Sequence, residues 1–297
     1  MRRKFLCGLA AILWARGLSA QPVPARELWE FPLGAVLEPA ALAAEPGAGF
    51  WNPAASVLMR GDRWRFGVAS LTTATDQSVD GQLMSAAWRR STGTTFGLAV
   101  ARAAIAGIVR TDTDPLGLGE VPYSTLLVSL TGAREIIPHV TGGVAARWRQ
   151  GRVDREERNA IAADLGVVVH DLPWHNARVA ASSFLWRPSR EIEDRPAFLA
   201  AADARVLGDS IRELRVGYSH NGINRGAQER GLFVGTQYDR VEARAAYLRT
   251  SAAGRAVSRI RTGLALHYNR FVVGVAREEG ASGLGPLYQF TLSSILR

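Results

Sequence analysis

The feature that most limits how this chain can fold is a regular alternation of apolar and polar residues. It begins near residue 63 and continues to the C-terminus in blocks of about ten residues separated by turn-forming residues. In the block 161–169, the odd-numbered positions are apolar, whereas Asp164 and Gly166 occupy even-numbered positions. A period of two residues places successive side chains on opposite faces of a sheet. The pattern therefore predicts a large β-sheet with one apolar and one polar face.

The alternating blocks predict about fourteen strands. Turn signals such as Asn221-Gly222 separate the blocks. The longer connections, 111–121 and 188–196, are expected to form outer loops. The predicted strands cover residues 63–73, 81–90, 94–109, 123–133, 140–150, 161–169, 177–186, 197–206, 212–220, 231–238, 241–250, 259–269, 271–277 and 287–296.

The apolar face of this sheet must be covered by something. No amphipathic helix is predicted that could cover it, and a β-sandwich with this many strands would be unusually large. In a transmembrane barrel, lipid covers the outer face and closure leaves no unpaired strand edge. Aromatic residues recur near strand ends, as they do at a lipid–water interface: Trp64, Trp88, Trp148, Trp186, Tyr218, Tyr238, Tyr268 and Phe271. We therefore predict an all-β fold, a transmembrane antiparallel β-barrel surrounded by the lipid of a bacterial outer membrane.

The N-terminal residues 1–20 have the features of a secretory signal peptide. Three basic residues at positions 2–4 precede the apolar stretch 5–14, and small residues follow up to Ala20, after which we expect cleavage. Arg16 departs from this pattern, so an uncleaved membrane anchor is the alternative. The signal-peptide interpretation predicts that the chain is exported.

The segment between the signal peptide and the barrel has a different composition. Residues 21–62 are rich in Pro and Ala, and proline cannot join the interior of a sheet. We predict that this segment is plug-like and that residues 63–297 form the barrel. Cys7, the only cysteine, lies in the signal peptide, so the mature chain has neither a disulfide nor a Cys metal site.

The basic residues do not predict a nucleic-acid partner. The formal net charge is +9, and Lys4 is the only lysine. The arginines are dispersed along the predicted strands, whereas nucleic-acid binders gather them on one helix or arm. Nine charged residues fall opposite the apolar faces, and we expect them to form ion pairs in the lumen or to be solvated there: Arg147, Arg149, Asp164, Glu213, Arg215, Glu242, Arg244, Arg259 and Arg261.

No pattern in the sequence predicts an enzyme active site. His170 and His175 lie close to Asp171, which suggests either a metal or acid–base pair or, as we prefer, solvated turn residues. Ser219 and His220 are adjacent, but no nucleophile motif surrounds them. No glycine-rich phosphate loop opens a helix. We expect no catalytic residue, no bound metal and no cofactor.

A short segment before the barrel resembles a known family. Residues 49–55 read GFWNPAA, similar to the (F/W)NPA segment of the FadL-like outer-membrane barrels, which include long-chain fatty acid transporters and the PorV/PorQ proteins of type IX secretion. The ADLGV stretch at 163–167 and the closing GLGPLYQFTLS at 283–293 are also similar to this family. In the family the segment before the barrel folds into the lumen, which implies a plug motif of Phe50, Trp51, Asn52, Pro53 and Ala54.

The resemblance implies two functions. Our main expectation is a PorV/PorQ-type barrel, secretion-linked or structural, with secreted proteins or secretion-system components as partners. The alternative is a FadL-like channel for small hydrophobic molecules, which predicts an apolar pocket near the plug and a lateral gap in the wall. An outer-membrane barrel enzyme and a non-membrane β protein are further alternatives. An apolar cavity lined by Phe50 or Trp51 would favour transport, and a filled polar lumen would favour a structural role.

Overall fold

The structure covers the predicted barrel and the segment before it. This computed structural model describes residues 23–59, 64–74, 78–90, 93–110, 119–185, 196–209, 212–222, 227–252, 255–279 and 285–296. The predicted signal peptide, Trp186 and most of the two predicted outer loops lie outside these residues.

Fourteen antiparallel strands form one closed barrel in which each strand pairs with its neighbours in the chain. The first strand closes the barrel on the last, from Trp64 opposite Leu296 to Thr73 opposite Leu287. The predicted fold and strand number are confirmed. The strands are β1 (Trp64–Thr73), β2 (Val79–Arg90), β3 (Thr94–Ile105), β4 (Tyr123–Ile137), β5 (Val140–Val153), β6 (Glu156–Leu172), β7 (Ala177–Phe184), β8 (Ala197–Gly208), β9 (Arg212–Gly222), β10 (Gln228–Tyr238), β11 (Val241–Ala252), β12 (Arg255–Tyr268), β13 (Phe271–Glu278) and β14 (Leu287–Leu296).

The strands differ from the prediction mainly in length. β6 extends well beyond the predicted 161–169, because a two-residue turn lets it pair with β5 from Val153 opposite Glu156 onwards. Its charged first residues interrupt the alternation and hid this extension from the sequence pattern. β3 ends earlier than predicted, and beyond it Val109 forms only an isolated bridge with Glu120.

The two faces of the barrel wall follow the predicted alternation. Leu165 is 64% exposed on the outside, whereas the side chain of its neighbour Asp164 is fully buried. Large apolar side chains cover the outer surface, and small residues such as Ala99 and Ala101 fill much of the inner one. An outer surface this apolar is stable against lipid rather than water. No helix among the described residues is long and apolar enough to cross a membrane.

The two ends of the barrel differ in their connections. At one end, here named the short-turn end, consecutive strands are joined by two to four residues, as at 138–139 and 173–176. The opposite, long-loop end carries the longest connections, 106–122 and 185–196. Outer-membrane barrels have short periplasmic turns and longer extracellular loops. The short-turn end therefore corresponds to the periplasmic side.

Residues 23–59, referred to below as the plug, lie inside the barrel. They form three short 3₁₀ helices, Arg26–Glu30, Ala40–Leu42 and Pro53–Leu58, joined by turns. The last of these packs against β3, β4, β5 and β6. Together with the inner faces of the strands, buried plug residues such as Leu28 and Val36 form the main apolar core. The prolines of the plug limit its pairing as an extended strand. Its short 3₁₀ helices instead provide local partners for the backbone hydrogen-bonding groups.

Candidate functional site

The Asn-Pro-Ala turn of the plug is fixed by one buried side chain. Asn52 has no exposed surface, and its Oδ1 accepts a hydrogen bond from the backbone of Ala54 at 3.0 Å. Its Nδ2 donates to the carbonyl oxygen of Ala41 at 2.8 Å and to that of Val167 at 3.4 Å. Asn52 thus caps its own helix and connects two parts of the plug to β6.

A pair of glycines in the wall makes room for this turn. Gly143 of β5 lies directly opposite Gly166 of β6. A Cβ atom on Gly166 would overlap Oδ1 of Asn52, and one on Gly143 would overlap the backbone of Ala54. Glycine at both positions therefore allows the plug backbone to approach the wall closely. This contact gives a structural role to the glycine of the ADLGV stretch.

Four aromatic rings meet where the plug faces β7. The ring centroids of Trp51 and Phe184 are 4.7 Å apart, and those of Phe50 and Phe184 are 5.7 Å apart. Trp29 joins them at 5.9 Å from Phe50. The indole nitrogen of Trp51 donates to the carbonyl of Leu33 at 3.0 Å. The cluster is thereby fixed in orientation and presents apolar ring surface to the lumen.

The buried ion pair of Arg147 and Asp164 supports the aromatic cluster. Both side chains are completely buried, and Nε of Arg147 donates to Oδ2 of Asp164. The guanidinium also donates to the carbonyl oxygen of Phe50 and lies 4.7 Å from the ring centroid of Phe184. The second carboxylate oxygen of Asp164 accepts from the backbone of Leu185 at 2.7 Å. One ion pair therefore connects the plug, β5, β6 and the end of β7.

Among the described residues, strand pairing in the barrel wall is interrupted beside this ion pair. β7 ends at Phe184, and Leu185 adopts a left-handed conformation with φ of 57° and is buried. β6 pairs with β7 from Gly166 to Leu172, whereas its long-loop half pairs, among the described residues, with β5 alone. Where Leu165 lies opposite Ser183, its backbone N–H donates to the side-chain hydroxyl of Ser183 at 3.1 Å and not to a backbone carbonyl of β7. In the part of the chain that the structure describes, backbone pairing between β6 and β7 therefore stops near the middle of the wall.

An apolar pocket of about 70 Å³ lies next to this interruption, between the plug and the wall. It is in the long-loop half of the barrel, because the end of β7 and the start of β8 line it. Its apolar walls are Trp29, Trp51, Phe184, Leu185, Ala197, Leu199 and Phe233, with further contributions from Arg26, Glu30, Pro32, Ala35, Glu38, Ala40, Asn221, Glu229 and Arg261.

A second cavity, the polar chamber, has a volume of about 540 Å³ and lies toward the short-turn end. The ends of β9 to β14 that line it belong to that end. Glu38 and Glu45 of the plug face it, together with many charged wall residues. Glu45 forms an ion pair with Arg65, and burial raises the pKa of the Glu45 carboxyl despite the opposing effect of this arginine.

The charged residues of the chamber form two networks. In the first, Asp203 accepts from Nε of Arg178 at 2.8 Å and from Nη2 of Arg215 at 2.8 Å. Glu213 lies 3.7 Å from the guanidinium of Arg215. The carboxylates are thus shared between arginines, which lowers the cost of keeping the charges in a confined space.

The second network connects the plug to the wall. Arg244 pairs with Glu242 on its own strand and with Glu38 of the plug. Nε2 of His267 lies 3.2 Å from the carboxylate of Glu242. Glu38 is the plug residue in this network, and the plug gave no strand periodicity from which its orientation could be predicted.

The remaining three predicted charges also lie on the inner side of the barrel. Arg259 and Arg261 share Glu278, and Arg261 also donates to the carbonyl of Val36 in the plug at 3.3 Å. Arg149 donates to the carbonyl of Val23 at 3.1 Å. The structure thus places eight of the nine residues at the aromatic cluster, in the chamber or in direct contact with the plug, and Arg259 in an ion-pair network of the wall with Glu229 and Glu278.

The sequence analysis missed several partners of these charges. Asp203, Glu229 and Glu278 are buried acids on inward positions of their strands. The period of two could have identified Asp203, because it shares its face with the buried Leu199 and Ala201. The C-terminal end of its strand departs from the alternation, which hides this position in the sequence.

The histidine and serine candidates are arranged differently from the expectation. His170 lies across the sheet from His139, with ring centroids 6.1 Å apart, rather than beside His175. Nδ1 of His175 instead lies 3.1 Å from the carbonyl of Arg205. Ser219 and His220 are consecutive on β9, so their side chains lie on opposite faces. The adjacency of serine and histidine therefore does not bring the two groups together.

No family model and no curated protein matches this sequence. Solved structures do match its fold. The CymD monoaromatic hydrocarbon channel aligns with a TM-score of 0.64 and 10% identity over 95% of this chain and 99% of that one. A deltaS2S3 mutant of the TodX monoaromatic hydrocarbon channel aligns with a TM-score of 0.58 and 9% identity over 82% and 92%.

This chain has the fold of an outer-membrane β-barrel. At such low identity the likeness concerns the fold, and the substrate has to be argued from the lumen of this chain.

Proposed function

We propose that this protein is a channel that admits small hydrophobic molecules, the FadL-like alternative of the sequence analysis. The observation that carries the proposal is the apolar pocket bordered by Trp51 and Phe184, which lies beside the interruption between β6 and β7. An aromatic pocket with a few polar groups at its edge is the usual form of a site for small apolar ligands. Both solved structures described above are named as channels for monoaromatic hydrocarbons.

The size of the pocket limits what it holds in this conformation. A dry cavity of about 150 Å³ accommodates benzene, whereas this pocket measures about 70 Å³. A single aromatic ring therefore requires one lining side chain to move. Leu185 is the natural candidate for this side-chain movement, because it follows the last residue of β7. The hydrogen bond from its backbone to Asp164 keeps the main chain in place while the side chain changes rotamer.

The charges of the lumen support a lateral exit for such a ligand. The polar chamber toward the short-turn end contains charged networks around Asp203 and Arg244, which make it less favourable for an apolar molecule than the aromatic pocket. Beside the pocket, the described residues of β7 form no backbone hydrogen bonds with β6, so the described part of the wall is open there. We propose that the ligand leaves through this interruption into the apolar part of the membrane.

An uptake experiment tests the proposal. Cells that express the chain should take up radiolabelled toluene faster than cells without it, and Leu185→Trp, which fills the pocket, should remove most of this gain. Leu185→Ala should increase uptake, because it enlarges the pocket. Leu207→Trp is the matched control, since Leu207 is exposed near the short-turn end. Uptake that does not depend on expression, or that Leu185→Trp leaves unchanged, would contradict the proposal.

The PorV/PorQ type, with secreted proteins or secretion components as partners, remains a prediction from the sequence. The lumen offers a specific reason to prefer the channel, because an apolar cavity lined by Trp51 is the feature that transport requires. The expectation that the chain is not an enzyme accompanies this proposal, since passage of a ligand through the pocket needs no reacting side chain.

A further inference from the structure

Two histidines face each other at the short-turn end, outside the pocket and the chamber. His139 lies in the turn between β4 and β5, and His170 is near the end of β6. The backbone of His170 donates to the carbonyl of His139 at 2.9 Å, so the two residues extend the β5–β6 ladder by one pair. Directly opposed side chains on antiparallel strands have Cβ atoms about 4.5–5.5 Å apart. Two imidazoles at this spacing can reach one ion.

The two rings and one carboxylate converge. Ligand atoms of His139, His170 and Asp171 all lie within 4.8 Å of one another. Nδ1 of His170 and Oδ2 of Asp171 are 2.8 Å apart. Around an ion with bonds of about 2.0–2.2 Å, adjacent ligands are separated by roughly 3 Å. An approach of up to about 2 Å between the His139 nitrogen and the other two ligand atoms would complete this arrangement, and His139 is exposed in a turn where such a movement is possible.

The carboxylate of Asp171 is fixed beside Nδ1 of the His170 ring, the nitrogen that faces the common site. With its amide oriented to satisfy both neighbours, Asn176 donates to Oδ1 of Asp171 at 3.1 Å and accepts from Arg205. The carboxylate is therefore held in place beside the ring.

Register shifts in the β4–β5 and β6–β7 pairings set the directions of the His139, His170 and Asp171 side chains. The pairing of β4 with β5 shifts between Glu135 and Ile137, and that of β6 with β7 shifts between Val169 and Leu172. Bulges of this kind redirect side chains and occur frequently at functional sites. Without the second shift, His170 and Asp171 would point to opposite faces of the sheet.

We propose that His139, His170 and Asp171 form a binding site for a divalent transition-metal ion such as Zn²⁺. Imidazole and carboxylate ligands suit this class of ion, and the exposed side of the site leaves coordination positions for water. A bound ion would tie the β4–β5 turn to the end of β6, the strand whose other half lacks a β7 partner among the described residues. The site would stabilise the wall below the interruption.

Calorimetric titration of the full-length barrel in detergent, stripped with a chelator and titrated with ZnCl₂, tests the site. We expect one ion per chain, and at least a tenfold loss of affinity in both His139→Gln and His170→Gln. His175→Gln is the matched control, because it removes a histidine from the adjacent turn and should leave the affinity unchanged. Heat-modifiable migration on a gel verifies that each variant forms a barrel.

A second measurement addresses the structural role. Zn²⁺ should raise the unfolding temperature of the wild type and of His175→Gln, but not of His139→Gln, since an ion that binds only the folded state stabilises it. The proposal is overturned if the wild type binds no Zn²⁺ at 100-fold excess over protein. It is equally overturned if the His139 and His170 variants bind as tightly as the wild type.

Discussion

The two halves of the lumen differ in the share of charged residues that line them, although the same alternating strands build both. In the long-loop half, Trp51, Phe184 and Leu199 enclose a small apolar pocket beside an interrupted wall. In the short-turn half, networks around Asp203 and Arg244 line a chamber several times larger. The plug contributes to both halves, with its aromatic residues in the long-loop half and its acidic residues Glu38 and Glu45 in the short-turn half. Under the proposed channel function, an apolar ligand should enter only the long-loop half, and substitutions in each half test that separation.

We expect the largest effect from a substitution in the glycine pair of the wall, Gly143 and Gly166, that makes room for the plug. Gly166→Val would place a branched side chain where Oδ1 of Asn52 lies, so the Asn-Pro-Ala turn could not dock. The plug would leave its position, the pocket would lose one wall, and the two halves of the lumen would merge. Conductance in planar bilayers should rise several-fold, and the expression-dependent uptake of toluene should be lost.

Gly132→Val is the control for this substitution. An added Cβ on Gly132 meets only the ring of Phe96, at 4.0 Å, on the outer side of the barrel. Its conductance should match that of the wild type. A Gly166→Val barrel with wild-type conductance would show that the plug does not separate the two halves.

The next largest effect concerns stability. Arg147→Met leaves Asp164 buried without its partner, which typically costs about 3–5 kcal/mol. The same change removes the hydrogen bond from Arg147 to the carbonyl oxygen of Phe50. The barrel should therefore become less stable, and toluene uptake through the apolar pocket should fall. Urea unfolding of the barrel in lipid vesicles measures the free energy, and Arg152→Met, at an exposed arginine on the same strand, is the control.

Combination with Asp164→Asn sharpens this prediction. If the uncompensated charge causes the loss, the double variant should be more stable than Arg147→Met alone. Equal destabilisation by Arg152→Met and Arg147→Met would contradict a special role for the buried pair.

The contrast between the halves was only partly visible in the sequence. The period of two identified all fourteen strands, because a wall between lipid and lumen forces each side chain to one face. It could not locate the pocket, which depends on the turn of the chain at Leu185 and on contacts between the plug and Phe184. The pairing of His139 with His170 was also hidden, since it follows from the register of the β5–β6 hairpin and not from proximity in the sequence.

A moderate effect is expected from the aromatic wall of the pocket. Trp51→Ala removes a ring whose contacts with an aromatic partner are worth about 0.5–1.5 kcal/mol, so the apparent affinity for toluene in the uptake assay should fall roughly two- to tenfold. Trp51→Phe should retain part of the affinity. His267→Ala in the polar chamber should leave it unchanged. A loss of affinity in His267→Ala as large as that in Trp51→Ala would place the chamber on the ligand's route.

The smallest effect is expected at the connection between the plug and the chamber wall. Glu38→Gln removes the charge that pairs with Arg244, but both side chains are about one quarter exposed, and Glu242 still accompanies the arginine. Ion pairs with this access to water contribute at most about 1 kcal/mol. The free energy of unfolding should therefore fall by no more than that amount, and toluene uptake should not change. Because Glu38 also borders the apolar pocket, a strong loss of uptake without loss of stability would mean that this carboxylate takes part in ligand passage, and that the two halves of the lumen are not chemically separate.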